Sequence, residues 1–418
     1  MVVSSELSQP REGGRWRSDA MHLGWSALVA QLLQLSSLPV MSRCYTPEEC
    51  GEAAMTISLA ALLGISFSLR YDAAIMQASS RHEALALLTS ALGLAGILAA
   101  LITVCGLLTP DGVAGPGVHA SWIGLLALSM HVNGALIQYF MRAKKIRQII
   151  GLRLVSSGIT LLAIPLLSGG NLGSLGLIFA VMMASGSAML MVPWMAIFRF
   201  YARGRRLVKI MRRYIRYPQL DLPAAVLGAA AGRLTPLVLG HSFGTSVTGH
   251  WSMADRLLSA PAMMVSGSAG LVYRAQAHEA QVRGSGHEHI VKAGIIMLGA
   301  LSFIIYMPLI IYPNLVMLVL GNSWEPAATA VAIMAPVAAM RFVAGVVSLS
   351  FYVAERLYLD LIGQALFLSA LTLAAFSVKW LNGWTEVLIL LSMLQAVLYG
   401  GYVLIAIRIS RPREQTNA

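Results

Sequence analysis

"GHWSMADRLLSAPAMMVSGSAG", residues 249–270, reads as a membrane helix with an acid and a base set into it. Its second half is small and apolar, yet Asp255 and Arg256 stand about two turns from its start. Only 11% of the chain is charged, so the reason for this placement must lie in what surrounds the stretch.

The 418 residues are 57% hydrophobic, too apolar for two or three soluble domains with polar surfaces. The apolar residues fall into blocks about as long as a helix needs to cross ~30 Å of hydrocarbon. Twelve such spans are expected, at roughly 21–41, 51–69, 84–108, 118–141, 149–168, 172–198, 218–240, 250–273, 290–312, 327–350, 358–378 and 384–407. Gly, Pro, Asn and Asp mark the turns between them, as in "TPDGVAGPG" and "SGGNLG". The first apolar block is of full span length with no small-residue cleavage site, so it reads as an uncleaved span.

Of the 30 Lys and Arg, 24 fall on one side of this span list, leaving only Arg43 and Lys379 on the other. That bias is the positive-inside signal, which places both termini in the cytoplasm. Net charge of +12 thus reports topology, and nucleic acid is not expected as a partner. Cys44, Cys50 and Cys105 lack metal-ligand spacing. Cys44 and Cys50 share a loop, where either a disulfide or plain packing would serve.

A coarse repeat runs through the chain. "LSSLPVMSRCYTPEECGEAAM" (35–55) and "AGRLTPLVLGHSFGTSVTGHWSM" (231–253) each end one span, turn, pass a glycine and begin the next. Those glycines, Gly51 and Gly249, are 198 residues apart. The expected fold is therefore all-α: a polytopic membrane protein of about 12 transmembrane helices in two six-helix lobes around a central cavity. A cytoplasmic tail (1–20) leads into one lobe (21–198). A basic linker (199–217) follows, then the second lobe (218–407) and a second tail (408–418). In the linker, bases at 199, 203, 206, 209, 213 and 216 share a helical face opposite Phe200, Leu207, Met211, Tyr214 and Ile215. The spacing suits an amphipathic helix on the membrane surface, or a solvated connection.

Charges within the spans are the candidate site. Arg153, one turn into the fifth span, can snorkel to the surface. Arg233 and Arg256 lie seven and six residues from an outer span end, about 9–11 Å deep. Arg341 is nearer the midplane. Arg233 and Asp255 could brace two helices as a pair. Even so, Arg233, Arg256 and Arg341 outnumber Asp255, and excess positive charge in a wet cavity suits an anion. The first lobe offers Gln31 and Gln34 in one span and His131 and Asn133 in another. His131 reads as a helix–helix contact or a proton carrier. Asp221 reads as a helix cap or a coupling-ion ligand. No catalytic, zinc or nucleotide-binding motif appears, so neither an enzyme nor a cofactor is expected.

"LPVMSRCYTPEECGEAAM" followed by "LRYDAAI" resembles the opening of the polysaccharide flippases of the multidrug/oligosaccharidyl-lipid/polysaccharide exporter superfamily. "GHWSMADRLLSAPAMMVSGSAGLVYRAQA" and "NSWEPAATAVAIMAPVAAMRFVAGVVSLSFYVAER" resemble the eighth and tenth spans of that family. Cys44 and Cys50 depart from its apolar or aromatic pattern. The resemblance implies ATP-independent flipping of undecaprenyl-diphosphate-linked oligosaccharide across the bacterial inner membrane, for O-antigen or exopolysaccharide synthesis. A polysaccharide polymerase and assembly proteins are the implied partners. Arg43, Arg70, Asp72, Arg256 and Arg341 match recurring polar residues of the family. The alternatives are a cation-coupled multidrug antiporter of the same superfamily, which would want unpaired carboxylates, and a membrane-embedded polysaccharide-modifying enzyme, which would want a long outer loop.

Overall fold

The computed structural model describes residues 12–109, 117–170, 172–201, 204–282, 287–354, 356–381 and 383–411. Residues 1–11 and 412–418, with Arg11, Arg203, Arg283 and Arg413, lie outside the described residues. Nine helices in that set are long and apolar enough to cross a membrane, and one bent pair makes a tenth. In chain order they are α2 (Pro47–Ser66), α3 (Arg81–Leu108), α4 (Ala120–Arg142), α5 (Ile146–Ser168), α6 (Ser174–Met191), α7 (Tyr217–Arg233 with Thr235–Phe243), α9 (Glu288–Ile311), α10 (Asn322–Val353), α11 (Tyr358–Ser377) and α12 (Trp384–Ile409). The remaining two are α1 (Glu12–Cys44) and α8 (Thr245–Val282), of 33 and 38 residues. Both have ample length at 1.5 Å per residue, and their polar residues dilute the apolar signal. The protein is an all-helical polytopic membrane protein, with α1–α6 in one lobe and α7–α12 in the other.

Local chemistry sets several helix ends. Thr46 and Glu49 form a reciprocal capping box at the start of α2, with Pro47 in its first turn. Ser80 caps α3 by accepting from the Glu83 amide. In α7, Pro236 has no N–H to offer the carbonyl four residues back, and the helix bends by 45° at Leu234. Arg233 stands at that bend.

The lobes meet chiefly where α2 crosses α8. A Cβ on Gly51 would run into the Thr245 carbonyl, and a Cβ on Gly249 into the Pro47 carbonyl. Thr245 follows Pro47 by 198 residues, as Gly249 follows Gly51, so the contact is reciprocal, as across a twofold axis. The repeat in the sequence is thus a pseudo-symmetry whose axis passes between these helices. Buried Trp324 adds an interlobe bond nearby, its Nε1 donating to the Ser42 carbonyl at 2.9 Å. Beside the crossing, Ser174 donates to Glu52 Oε2 (2.6 Å) and lies 2.7 Å from His119 Nε2, tying α2 to α6. Cys44 and Cys50 are both free thiols.

At the opposite end of the bundle, where the basic loops gather, the linker forms two helices, Trp194–Tyr201 and Gly204–Arg213. Tyr214 and Met211 pack on the first lobe. Arg213 pairs with Glu83 at 2.6 Å, and the Tyr214 hydroxyl donates to Glu83 Oε2 at 3.1 Å. Tyr71, whose phenol pKa is raised by burial, donates to the Met211 carbonyl at 3.3 Å. Met211 and Tyr214 of the apolar face therefore rest on protein, while Ile215 stays exposed. Arg206, Lys209 and Arg212 remain exposed.

Candidate functional site

Two cavities flank α8. The first lies between the lobes and has a volume of about 420 Å³. Gln31, Gln34 and Ser37 of α1, Asn133 of α4, Ser156 and Thr160 of α5, Ser185 of α6, Arg233 of α7, and Arg256 and Ser259 of α8 line it. A second chamber of about 390 Å³ shares Gln31, Gln34, Asn133, Ser156 and Met263 with it and adds Arg153. Together they form one central cavity with three arginines, two glutamines and an asparagine. No carboxylate is among the described lining residues. Asn133 donates to Ser156 Oγ at 3.2 Å, and Arg256 Nη1 lies 3.4 Å from the Met41 sulfur. A guanidinium without an acid partner keeps its forked donors for a ligand, and phosphate oxygens match that fork.

The other cavity, about 330 Å³, lies inside the second lobe. Asp255 and Arg341 line it with Asp360, Gln364, Gln395, Tyr399 and Tyr402. Here the pairing differs from the Arg233–Asp255 brace considered from sequence. Arg341 donates from both Nη1 and Nη2 to Asp255 Oδ1, each at 3.2 Å. Asp255 and Arg256 are consecutive, so they point about 100° apart around α8. The acid turns into the second lobe and the base into the central cavity. Equal depth could not decide the partner; helix rotation did.

The other candidates are placed elsewhere. His131 is buried between α4 and the Gly64 backbone of α2 and lines neither cavity. Arg43 donates to its own helix at the Pro39 carbonyl, 3.1 Å, outside both cavities. Arg70, in a left-handed backbone conformation (φ 65°), lies between two acids at the basic end. Its Nε donates to Asp221 Oδ2 at 2.7 Å and its Nη1 is 3.9 Å from Asp72 Oδ2. Asp72 also accepts from Ser68 at 2.5 Å. Asp221 is thus an interlobe ion-pair partner of Arg70, with no cap bond from its side chain. Arg153, expected to snorkel out, faces the cavity instead.

Asp360, Gln364, Gln395, Tyr399 and Tyr402 were not singled out in the sequence. Their spacing carried a signal: 360 and 364 share a face of α11, and 395, 399 and 402 one of α12. The Tyr402 hydroxyl is 3.5 Å from Asp360 Oδ1, joining the two stripes.

A family model described as "Polysaccharide biosynthesis protein" matches residues 40–329, more than half the chain. No curated protein sequence matches the chain. Among solved structures, the lipid II flippase MurJ in an inward closed conformation is similar at a TM-score of 0.66 and 11% identity, over 92% of this chain and 87% of that one. The MATE multidrug transporter DinF-BH is similar at 0.59 and 13%, over 98% of both chains. A superfamily transporter from Pyrococcus furiosus, described as having a binding pocket of reverse polarity, is similar at 0.55 and 16%, over 94% and 95%. At these identities the likeness shows the fold, one with twelve transmembrane helices in two lobes.

Proposed function

The chain belongs to the polysaccharide biosynthesis protein family, and on that premise we propose that it flips undecaprenyl-diphosphate-linked oligosaccharide across the bacterial inner membrane by alternating access, without ATP. One observation carries the reading. The central cavity holds Arg153, Arg233 and Arg256 with amide side chains and no carboxylate among its described lining. Arginine forks would hold the diphosphate. Gln31, Gln34 and Asn133 would hydrogen-bond sugar hydroxyls. The close crossing of α2 and α8 lies about two turns from Ile57 and Arg256 of the cavity lining. It would close the cavity at that end, and rocking of the lobes about it would change which side has access. Arg70 and Asp221 tie the lobes at the other end. A cation-coupled multidrug antiporter fits less well, since an organic cation would enter among unpaired arginines.

Arg256→Ala should leave the protein inserted at normal abundance and cut glycan export about 10- to 100-fold, the value of one or two charge-assisted hydrogen bonds. Arg256→Lys should recover part of it, because the charge returns without the fork. Flipping of a fluorescent diphosphate-linked oligosaccharide in proteoliposomes measures this. Wild-type flipping by Arg256→Ala would remove Arg256 from the substrate site.

Orientation is tested separately. A single cysteine at Lys209, in a chain with Cys44, Cys50 and Cys105 replaced, should react with an impermeant thiol reagent only after cells are permeabilised. Reaction in intact cells would invert the topology and place the linker outside.

A further inference from the structure

A third pocket, of about 300 Å³, lies away from both cavities at the basic end of the first lobe. Arg81 at the start of α3 and Arg142, Lys144 and Lys145 at the end of α4 line it, with Tyr139 on one wall. We propose that this pocket is a binding site for a phosphate group, presented by the headgroup of an anionic phospholipid or by a free phosphate.

Four bases converge on one small volume, and no carboxylate is among its described lining residues. The nearby acid, Glu83, is already engaged by Arg213 at 2.6 Å and Tyr214 at 3.1 Å. Arg142 is held in place from behind, its Nε and Nη2 donating to the Ala78 carbonyl at 3.1 and 2.8 Å. Among the described residues its Nη1 has no bond, so it stays available to a ligand in the pocket. The amino end of the 28-residue α3 points into the same region and favours an anion.

The turn that delivers the two lysines is itself unusual. Lys145 N donates to the Phe140 carbonyl and Lys144 N to that of Met141, the paired bonds of a Schellman ending. Its left-handed position, normally glycine, is Lys144 at φ 53°. A long cationic side chain is kept where the backbone would favour none. Positive-inside bias accounts for bases at this end of the bundle, but not for their convergence from two helices onto one pocket.

The test uses the purified full chain and does not involve transport. Thermal unfolding is followed while phosphatidylglycerol, phosphatidylcholine or inorganic phosphate is added. Phosphatidylglycerol should raise the Tm and phosphatidylcholine should not. The triple variant Arg81→Gln, Lys144→Gln, Lys145→Gln should need about tenfold more phosphatidylglycerol for the same shift. It spares Arg142, which has a structural bond. Protection of the wild type by inorganic phosphate as well, lost in the same variant, would support a soluble phosphate as ligand. Three results would overturn the site: no shift with either phosphate probe, an unchanged response in the triple variant, or equal loss in a control with Arg206, Lys209 and Arg212 changed to Gln.

Discussion

Asp255→Asn should lower membrane abundance several-fold, and adding Arg341→Gln to it should bring the protein back. Alone, the first change takes from Arg341 its only bonded carboxylate among the described residues; Asp360 lines the same cavity but is not bonded to it. An arginine within the bilayer costs ~2.5–3.5 kcal/mol or more on insertion scales. Arg341 and Asp255 retain 33% and 30% side-chain exposure, so cavity water screens part of that cost. About 2 kcal/mol is a fair expectation, between the values for exposed and fully buried pairs, and one that shifts abundance several-fold. Removing both charges leaves neither stranded. Arg233→Ala, by contrast, should not change abundance, because Arg233 faces the central cavity without an acid partner there. The measurement is a double-mutant cycle scored by membrane abundance, with export recorded separately. Equal abundance in all four variants of the 255/341 cycle would show that the pair contributes nothing to folding.

The largest loss of transport is expected from Gly51→Leu. Even the Cβ of alanine would meet a backbone carbonyl of α8, which cannot rotate aside as a side chain can. The crossing helices must then separate, at ~1–3 kcal/mol for overpacking and more for a side chain as large as leucine. One buried cluster, around Leu87, Leu136 and Ile149, lies in the first lobe and the linker packed on it, and another, around Leu371, Val387 and Leu391, lies wholly in the second. The protein should therefore still insert, even though the largest cluster runs across both lobes. Export should fall about tenfold for Gly51→Ala and vanish for Gly51→Leu, and Gly249→Leu should match it by the pseudo-symmetry. A cysteine at Ser259, in the central cavity, should become more reactive from the glycine-crossing side as the closure opens. Full export by Gly51→Leu would mean that this close approach plays no part in the cycle.

The spans were legible because hydrocarbon thickness imposes a length that apolar blocks display directly. The sequence also displayed the repeat, since Gly51 and Gly249 each follow a span end and a short turn and open the next span. It hid the division of the charges. Asp255 and Arg256 are adjacent in the chain, yet one pairs with Arg341 in the second lobe and the other lines the central cavity. Nothing in spacing distinguishes a buried wall from a wet one: His131, readable as a helix contact or a proton carrier, is buried against α2, while Arg153, expected to snorkel out, lines the cavity.

By its sequence alone, then, this protein was determined to be a bundle of twelve membrane helices in two related halves, with bases gathered at one end. Those properties follow from water–hydrocarbon transfer and charge bias, which act on each segment separately. The tertiary structure decided the ion pairs: Arg341 with Asp255, and Arg70 with Asp221. It also decided which arginines stay unpaired in the cavity. A partner depends on how each helix is rotated and where it bends, as α7 does beside Arg233. The bend is local, since Pro236 makes it. Rotation is settled by packing against segments distant in the chain, 86 residues for Arg341 and Asp255 and 151 for Arg70 and Asp221.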